Sequence, residues 1–269
     1  MTFINDSFAK MLRGGVIMDV SSVEEALLAE KSGACAVMVV SRIQGAVLRM
    51  ACTKLIDNIK KSVSIPVMAK CRIGHTVEAK ILEKLEIDFI DESELLTPAD
   101  DSHIHKNNFT VPFICGAENL GEALRRIQEG ATIIRTKGDD YSGDIRKAVL
   151  HFKQIKREIK YLNNSGNDGK INFCYKEKVD RELLNETLKN GRLPVITFAS
   201  GGITTPADAA LLMDLGVDGV FVGISIFKSS QPELLAQNMV KSTTYFDEPD
   251  KLLEICRSNI SSMKGYCLS

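Results

Sequence analysis

Two lysines close short apolar runs in this chain of 269 residues: Lys70 ends PVMAK (Pro66 to Lys70) and Lys137 ends TIIRTK (Thr132 to Lys137). Desolvation at the end of an apolar strand favours the neutral amine over the ammonium, and the neutral amine is the form that attacks a carbonyl to give an imine. For one lysine alone, a rim cation paired with an acidic neighbour is as good a reading. Two at separate strand ends, with Asp19 in VIMDV (Val16 to Val20) at a third, point to imine chemistry with a carboxylate at hand for proton transfer. Asp91, Glu92 and Glu94 cluster at the end of a further run, DFIDES (Asp88 to Ser93).

A phosphorylated sugar is the substrate class these groups suggest together with the glycines. Ser200-Gly201-Gly202-Ile203-Thr204 and Val222-Gly223-Ile224-Ser225 follow late apolar runs, where α/β barrels build phosphate sites from backbone N–H groups and a helix N-terminus. Each alone also reads as a tight turn leaving a strand. Arg125 and Arg126, in NLGEALRRIQEG, read as a solvated helix face or as one arginine reaching a second anionic group. The four histidines, His75, His103, His105 and His151, do not make a metal set, because only His103 and His105 are close and no third ligand follows at metal-site spacing. His75, after Arg72-Ile73-Gly74, reads equally as the cap of the next helix.

These groups need elements to hold them. Eight β-rich runs recur, most followed by a stretch of helical periodicity: Val16 to Val20, Cys35 to Val40, Pro66 to Lys70, Asp88 to Ser93, Pro112 to Gly116, Thr132 to Lys137, Val195 to Ser200 and Gly219 to Ile224. The alternation predicts an α/β fold, a parallel (β/α)8 TIM barrel, as one domain over residues 1–269 with a short N-terminal helix and a C-terminal helix and tail. Strand C-terminal ends form the open face of such a barrel, so strand-end lysines and carboxylates face substrate. Ser22 with Glu25 reads as a capping box opening a helix that stops at Gly33, and Thr205 caps a helix with Pro206 at its first position and Gly216 at its exit. Two regions fit less well. SRIQGAVLRM is short for a connection, and roughly 57 residues separate the sixth and seventh runs, where the polar tract NNSGNDGK reads as a surface loop between two basic-faced helices.

The bulk properties exclude several classes. Lysine plus arginine number 34 against 35 acidic residues, so the net charge of −1 gives no global attraction to nucleic acid or anionic membrane. The seven cysteines are scattered, odd in number and never paired as Cys-x-x-Cys, against a disulfide framework or a zinc site and in favour of a reducing, cytoplasmic setting. The opening MTFINDSFAKMLRGG has no continuous apolar stretch of a signal peptide, and no run approaches a membrane span.

The strings MLRGGVIMDV, SIPVMAKCRIGH, DESELLTPAD, VPFICGAENLGEALRRIQEGA, IRTKG, RLPVITFASGGITTPADAALLMDLG and DGVFVG resemble one family closely, the synthase subunit of glutamine-dependent pyridoxal 5'-phosphate synthase, from Met11 to about Phe246. The resemblance implies a lyase that combines ribose 5-phosphate, glyceraldehyde 3-phosphate and ammonia. By position, Lys70 matches the lysine that forms the first imine with the pentose. Lys137 matches the second lysine, which takes over the later intermediate and product, and Asp19 matches the acid that works in proton transfers. Gly202 and Gly223 match phosphate-binding positions, with Gly143, Ser225 and Arg135 among the substrate-contacting set. His103, Arg125 and Arg126 match a second phosphate site. The resemblance also implies hexameric rings stacked into dodecamers, or a mixed oligomer with a paralogue, and a separate glutaminase subunit as ammonia source. This chain has no glutaminase triad of its own, and no cofactor or metal is expected.

The chain departs from the family pattern. The loop after the second lysine, usually Gly-Glu-Ala-Gly-Thr-Gly, is Gly138-Asp139-Asp140-Tyr141-Ser142-Gly143, which puts a ring where a backbone should approach phosphate. Gly-Ser-Gly after the last strand is Gly223-Ile224-Ser225. The segment after the second strand lacks Glu-Arg-x-Pro-Ala-Asp-x-Arg, and a lysine of the second phosphate site aligns near Tyr175 and Lys176. Two functions therefore stand: a working synthase with adapted substrate binding, which the retained lysines favour, and a catalytically impaired paralogue serving as scaffold or regulator among active subunits, which the altered phosphate loops favour.

Overall fold

The structure, a computed structural model, describes residues 7–41, 48–138 and 143–258. Eight parallel strands pair in chain order and close on themselves: β1 (Val16–Val20), β2 (Ala36–Val39), β3 (Val67–Arg72), β4 (Phe89–Ser93), β5 (Phe113–Ala117), β6 (Ala131–Thr136), β7 (Ile196–Ala199) and β8 (Gly219–Val222). Because β1 pairs with both β2 and β8, no edge is left to aggregate. The chain is thus a (β/α)8 TIM barrel, and every strand lies within two residues of the bounds expected from its apolar run. The helices are α1 (Val23–Lys31), α2 (Thr53–Ser62), α3 (Thr76–Lys84), α4 (Leu120–Gln128), α5 (Arg146–Asn163), α6 (Asn167–Glu177), α7 (Arg181–Asn190), α8 (Pro206–Leu215), α9 (Pro232–Thr244) and α10 (Pro249–Arg257).

Period-two alternation along the strands decides what faces where. Ile17, Met38, Met68, Phe89, Ile114 and Ile133 pack together in the barrel interior, while Val37, Ala69, Ile90 and Val220 belong to the cluster between sheet and helices. Two residues beyond Ile17, Met68, Phe89 and Ile133 stand Asp19, Lys70, Asp91 and Arg135, so the same alternation that fills the core carries four charges inward at the C-terminal mouth. Residues of opposite parity, Glu92 and Cys115 among them, face the helices.

The joints follow their local chemistry. Thr205 and Asp208 form a full capping box on α8, which leaves through Gly216 at φ +99°. At α1 the Ser22 hydroxyl accepts from the Glu25 N–H at 3.2 Å, but the Glu25 carboxylate accepts from the Ser21 N–H and hydroxyl at 2.7 and 2.9 Å, one residue earlier than a capping box requires. His75 caps α3, its Nδ1 accepting from the Glu78 N–H at 3.1 Å.

One sequence expectation is corrected. NNSGNDGK is not a loop; only residues 164–166 join α5 to α6, and Asn167 to Lys170 are the first turn of α6. Its glycines and polar residues hide the helix, which is fixed by tertiary contacts: Phe173 and Cys174 pack on the cluster beneath α4 and α5, and Glu177 pairs with Arg125. Among the described residues the cysteines are free thiols, and no helix is long and apolar enough to cross a membrane.

Candidate active site

Lys70 and Asp19 meet inside the mouth, Nζ 3.2 Å from Oδ2, each side chain 9% exposed. Strand register sets Lys70 opposite Asp91 on β4. Asp91 is held by Arg135, whose guanidinium lies 3.1 Å from the Asp91 carboxylate and 2.7 Å from Glu94 and donates to the Ser93 hydroxyl at 3.0 Å. Burial pushes the Asp91 carboxyl upward, while the charges of Arg135 and Lys70 pull it back. Burial works against ionised Glu94 too, but Arg135 outweighs it and holds that carboxyl below its usual range. Two neighbouring carboxyls thus differ in proton affinity beside one amine, so that Asp91 holds a proton more readily than Glu94. The Arg135 guanidinium donates to Asp91, Glu94, the Ser93 hydroxyl and the Thr136 carbonyl, contacts that order the two carboxylates.

Lys137 follows β6 at the same end of the barrel, but its amine is turned to Glu122 on α4, with 20% of the side chain exposed. The two lysines share the C-terminal face and answer to different carboxylates. Between them Gly116 on β5 leaves room for the Lys137 stem: a Cβ there would lie 2.6 Å from Glu94 Oε2 and 2.8 Å from Lys137 Cγ.

The glycine loops after β6 and β7 are interlocked. The Thr136 hydroxyl donates to the Ser200 carbonyl at 2.9 Å and accepts from the Ser200 N–H at 2.8 Å. Gly202, at φ +74°, lies so close to the next loop that a Cβ would stand 2.3 Å from the Asp144 carbonyl carbon. Gly202→Ala is therefore expected to cost roughly 2 kcal/mol or more, read by urea denaturation, because the methyl meets immovable backbone in a conformation that alanine resists. Gly143 is also left-handed, at φ +64°. Gly223 opens a 3-10 turn over Ile224–Lys228 in which Ser225 is buried. Tyr141 lies outside the described residues.

Outside the sheet, a second set of charges joins two of the residues expected at an anion site. Glu92 Oε2 is 2.9 Å from His103 Nδ1 and 2.7 Å from Lys106 Nζ. Lys106 also contacts Glu129 at 2.9 Å, and Glu129 pairs with Arg126 at 2.5 Å. Arg125 is not part of this set; it binds the carbonyl and carboxylate of Glu177 on α6, because adjacent helical residues point about 100° apart. Tyr175 and Lys176, on the same helix, are exposed. Sequence spacing missed Glu122, Glu129 and Lys106, and strand parity is the signal that would have separated Glu92 from Asp91.

Glu92, His103 and Cys115 could together offer ligand atoms to a metal, but the cation against Glu92 is the Lys106 ammonium, and burial pushes the Cys115 thiol up to about 12. Burial of Glu92 would raise its carboxyl, yet the hydrogen bond with His103 and the charge of Lys106 prevail and lower it from 4.5 to about 2. A depressed carboxyl stabilises the fold above its unfolded value and loses that contribution as pH falls through the folded one. Glu92 is accordingly expected to supply about 3 kcal/mol at neutral pH that disappears between about pH 4.5 and 2, and Glu92→Gln should flatten that part of the acid-denaturation curve.

Fold and site define a (β/α)8 barrel protein with a buried lysine–carboxylate pair at the C-terminal ends of its strands. The chain belongs to the SOR/SNZ family, whose profile matches residues 1–200. A shorter match, to the thiazole biosynthesis protein ThiG, covers residues 176–245. Among curated relatives, the chain is 55% identical to the pyridoxal 5'-phosphate synthase subunit SNZ1 of Saccharomyces cerevisiae, over 97% of this chain and 91% of that one. It is 53% identical to the pyridoxal 5'-phosphate synthase subunit PdxS of Caldanaerobacter subterraneus, over 97% and 92%. The solved thiamine phosphate pyrophosphorylase from Pyrococcus furiosus shares the fold alone, with TM-score 0.54 and 14% identity over 86% of this chain and 95% of that one.

Proposed function

We propose that the chain is the synthase subunit of a glutamine-dependent pyridoxal 5'-phosphate synthase, a lyase that joins ribose 5-phosphate, glyceraldehyde 3-phosphate and ammonia through lysine imines. The observation that carries this is the buried Lys70–Asp19 pair at the barrel mouth, in a chain 55% identical to a subunit of that name. Asp19 takes a proton from the Lys70 ammonium, and the freed amine forms a C–N bond to the sugar carbonyl carbon. The carbinolamine then loses its oxygen as water, the proton returning through Asp19 or Asp91, and the imine remains. Backbone N–H groups of the loops around Gly202 and Gly223 suit the sugar phosphate. Lys137, 20% exposed and paired with Glu122 beyond β5, suits a second imine on later intermediates. His103 and Arg126 suit a second anionic group: Arg126 is 7% exposed and its Nε has no hydrogen-bond partner among the described residues.

Ammonia would come from a separate glutaminase subunit, and an oligomer of synthase subunits would carry the reaction. The direct test is formation of pyridoxal 5'-phosphate from the two sugar phosphates and an ammonium salt, followed by its absorbance. Formation supports the reading. No product at millimolar substrates would overturn it in favour of a scaffold subunit.

A further inference from the structure

Lys106 is the most enclosed cation among the described ion pairs, with a fully buried side chain, and neither the sugar site nor the imine chemistry uses it. It lies two residues after Ile104, whose carbonyl accepts from its ammonium at 2.9 Å, and it opens a short 3-10 turn over Lys106–Asn108. Its other two contacts are carboxylates on different elements: Glu92 on β4 at 2.7 Å and Glu129 just after α4 at 2.9 Å. Each carboxylate continues to one further side chain, Glu92 to the His103 imidazole and Glu129 to the Arg126 guanidinium. The result is an unbroken chain, His103–Glu92–Lys106–Glu129–Arg126, with the ammonium at its centre.

A purely structural cation would need only to neutralise Glu92. The outer ends of this chain argue for more. His103 is only partly buried, and Arg126, nine-tenths buried, leaves Nε without a partner among the described residues although Glu129 fixes its Nη2. An orphaned donor on an immobilised guanidinium is costly unless a ligand completes it. Each of the two carboxylates is shared between the central ammonium and one outer side chain, which fixes His103 through Nδ1 and Arg126 through Nη2.

We infer that Lys106 is a positioning residue that sets His103 and Arg126 as a paired clamp for the phosphate group of the later intermediate or product, acting through Glu92 and Glu129 without touching the ligand. This rests on the proposed second anion site. It differs from that proposal in assigning the geometry of the site to a residue outside it.

The test uses the full-length chain and pyridoxal 5'-phosphate as the probe, with imine on Lys137 trapped by borohydride and counted by peptide mapping. Lys106→Met and Glu129→Gln are each expected to raise the half-saturating concentration about tenfold, whereas Lys106→Arg restores most of the affinity. The ribose 5-phosphate adduct on Lys70 should form to the same extent in all three, a split that general loosening of the fold would not produce. Arg126→Gln serves as the reference for losing the site itself. If wild type gives no imine on Lys137, or Arg126→Gln leaves binding unchanged, the second anion site is wrong and the inference goes with it. If Arg126→Gln weakens binding but folded Glu129→Gln and Lys106→Met match wild type, the site stands and the role of Lys106 is overturned. Should Lys106→Met fail to fold, Glu129→Gln, on a partly exposed side chain, decides alone.

Discussion

Lys137→Ala is expected to stop pyridoxal 5'-phosphate formation while leaving the pentose adduct on Lys70 intact. The two amines are held by different carboxylates, Lys70 by Asp19 inside the barrel and Lys137 by Glu122 on α4, so removing the second leaves the Lys70–Asp19 pair in place, while Glu94 loses one positive neighbour and keeps Arg135. Loss of an amine that becomes covalently bonded should lower turnover by at least about 10³-fold, some 4 kcal/mol of barrier. Folding should change little, because Lys137 is partly exposed and its partner can be solvated. Mass spectrometry of the variant with ribose 5-phosphate, alongside product absorbance, reads both halves. Product at more than a few per cent of the wild-type rate would place the second imine elsewhere.

Substitution at Lys70 has the opposite profile. Lys70→Ala should abolish both the adduct and the product, and should also destabilise the fold, since Asp19 and Asp91 then lose a buried positive neighbour. Stranding one member of a buried pair costs about 3–5 kcal/mol. Lys70→Arg separates the two effects: the guanidinium keeps a charge near Asp19 but stays protonated and cannot act as nucleophile. It should recover much of the denaturation midpoint and none of the adduct. Adduct formation by Lys70→Arg would show that another amine performs the first attack.

How much of this was legible in the sequence follows from the range of the interactions involved. Strands were readable because each is a short, largely apolar run bounded by turn residues, and caps such as Thr205 and His75 because a cap is completed within three residues. Lys70 and Asp19 were visible as strand-end charges, and parity in step with Met68 and Ile17 carries them inward. What escaped was set by contacts between distant segments. Helix α6 begins in a polar, glycine-containing tract and is fixed by packing on α4 and α5. The separation of Arg125 from Arg126 depends on Glu177, 52 residues away, and Glu129, only three. The Lys106 chain draws Glu92 and Glu129 from opposite sides of the 3-10 turn, and no local motif announces it. The departures at Ile224 and Tyr141 are legible as sequence changes, and Ser225 lies buried beside the first of them.

The central claim is that Lys70 is the amine that first bonds the sugar. Wild-type protein incubated with ribose 5-phosphate, reduced with borohydride and mapped by peptide mass spectrometry, tests it directly. The expected result is one pentose phosphate on the peptide containing Lys70. Unmodified Lys70 at saturating sugar, or a first adduct confined to Lys137 or any other lysine, would contradict it.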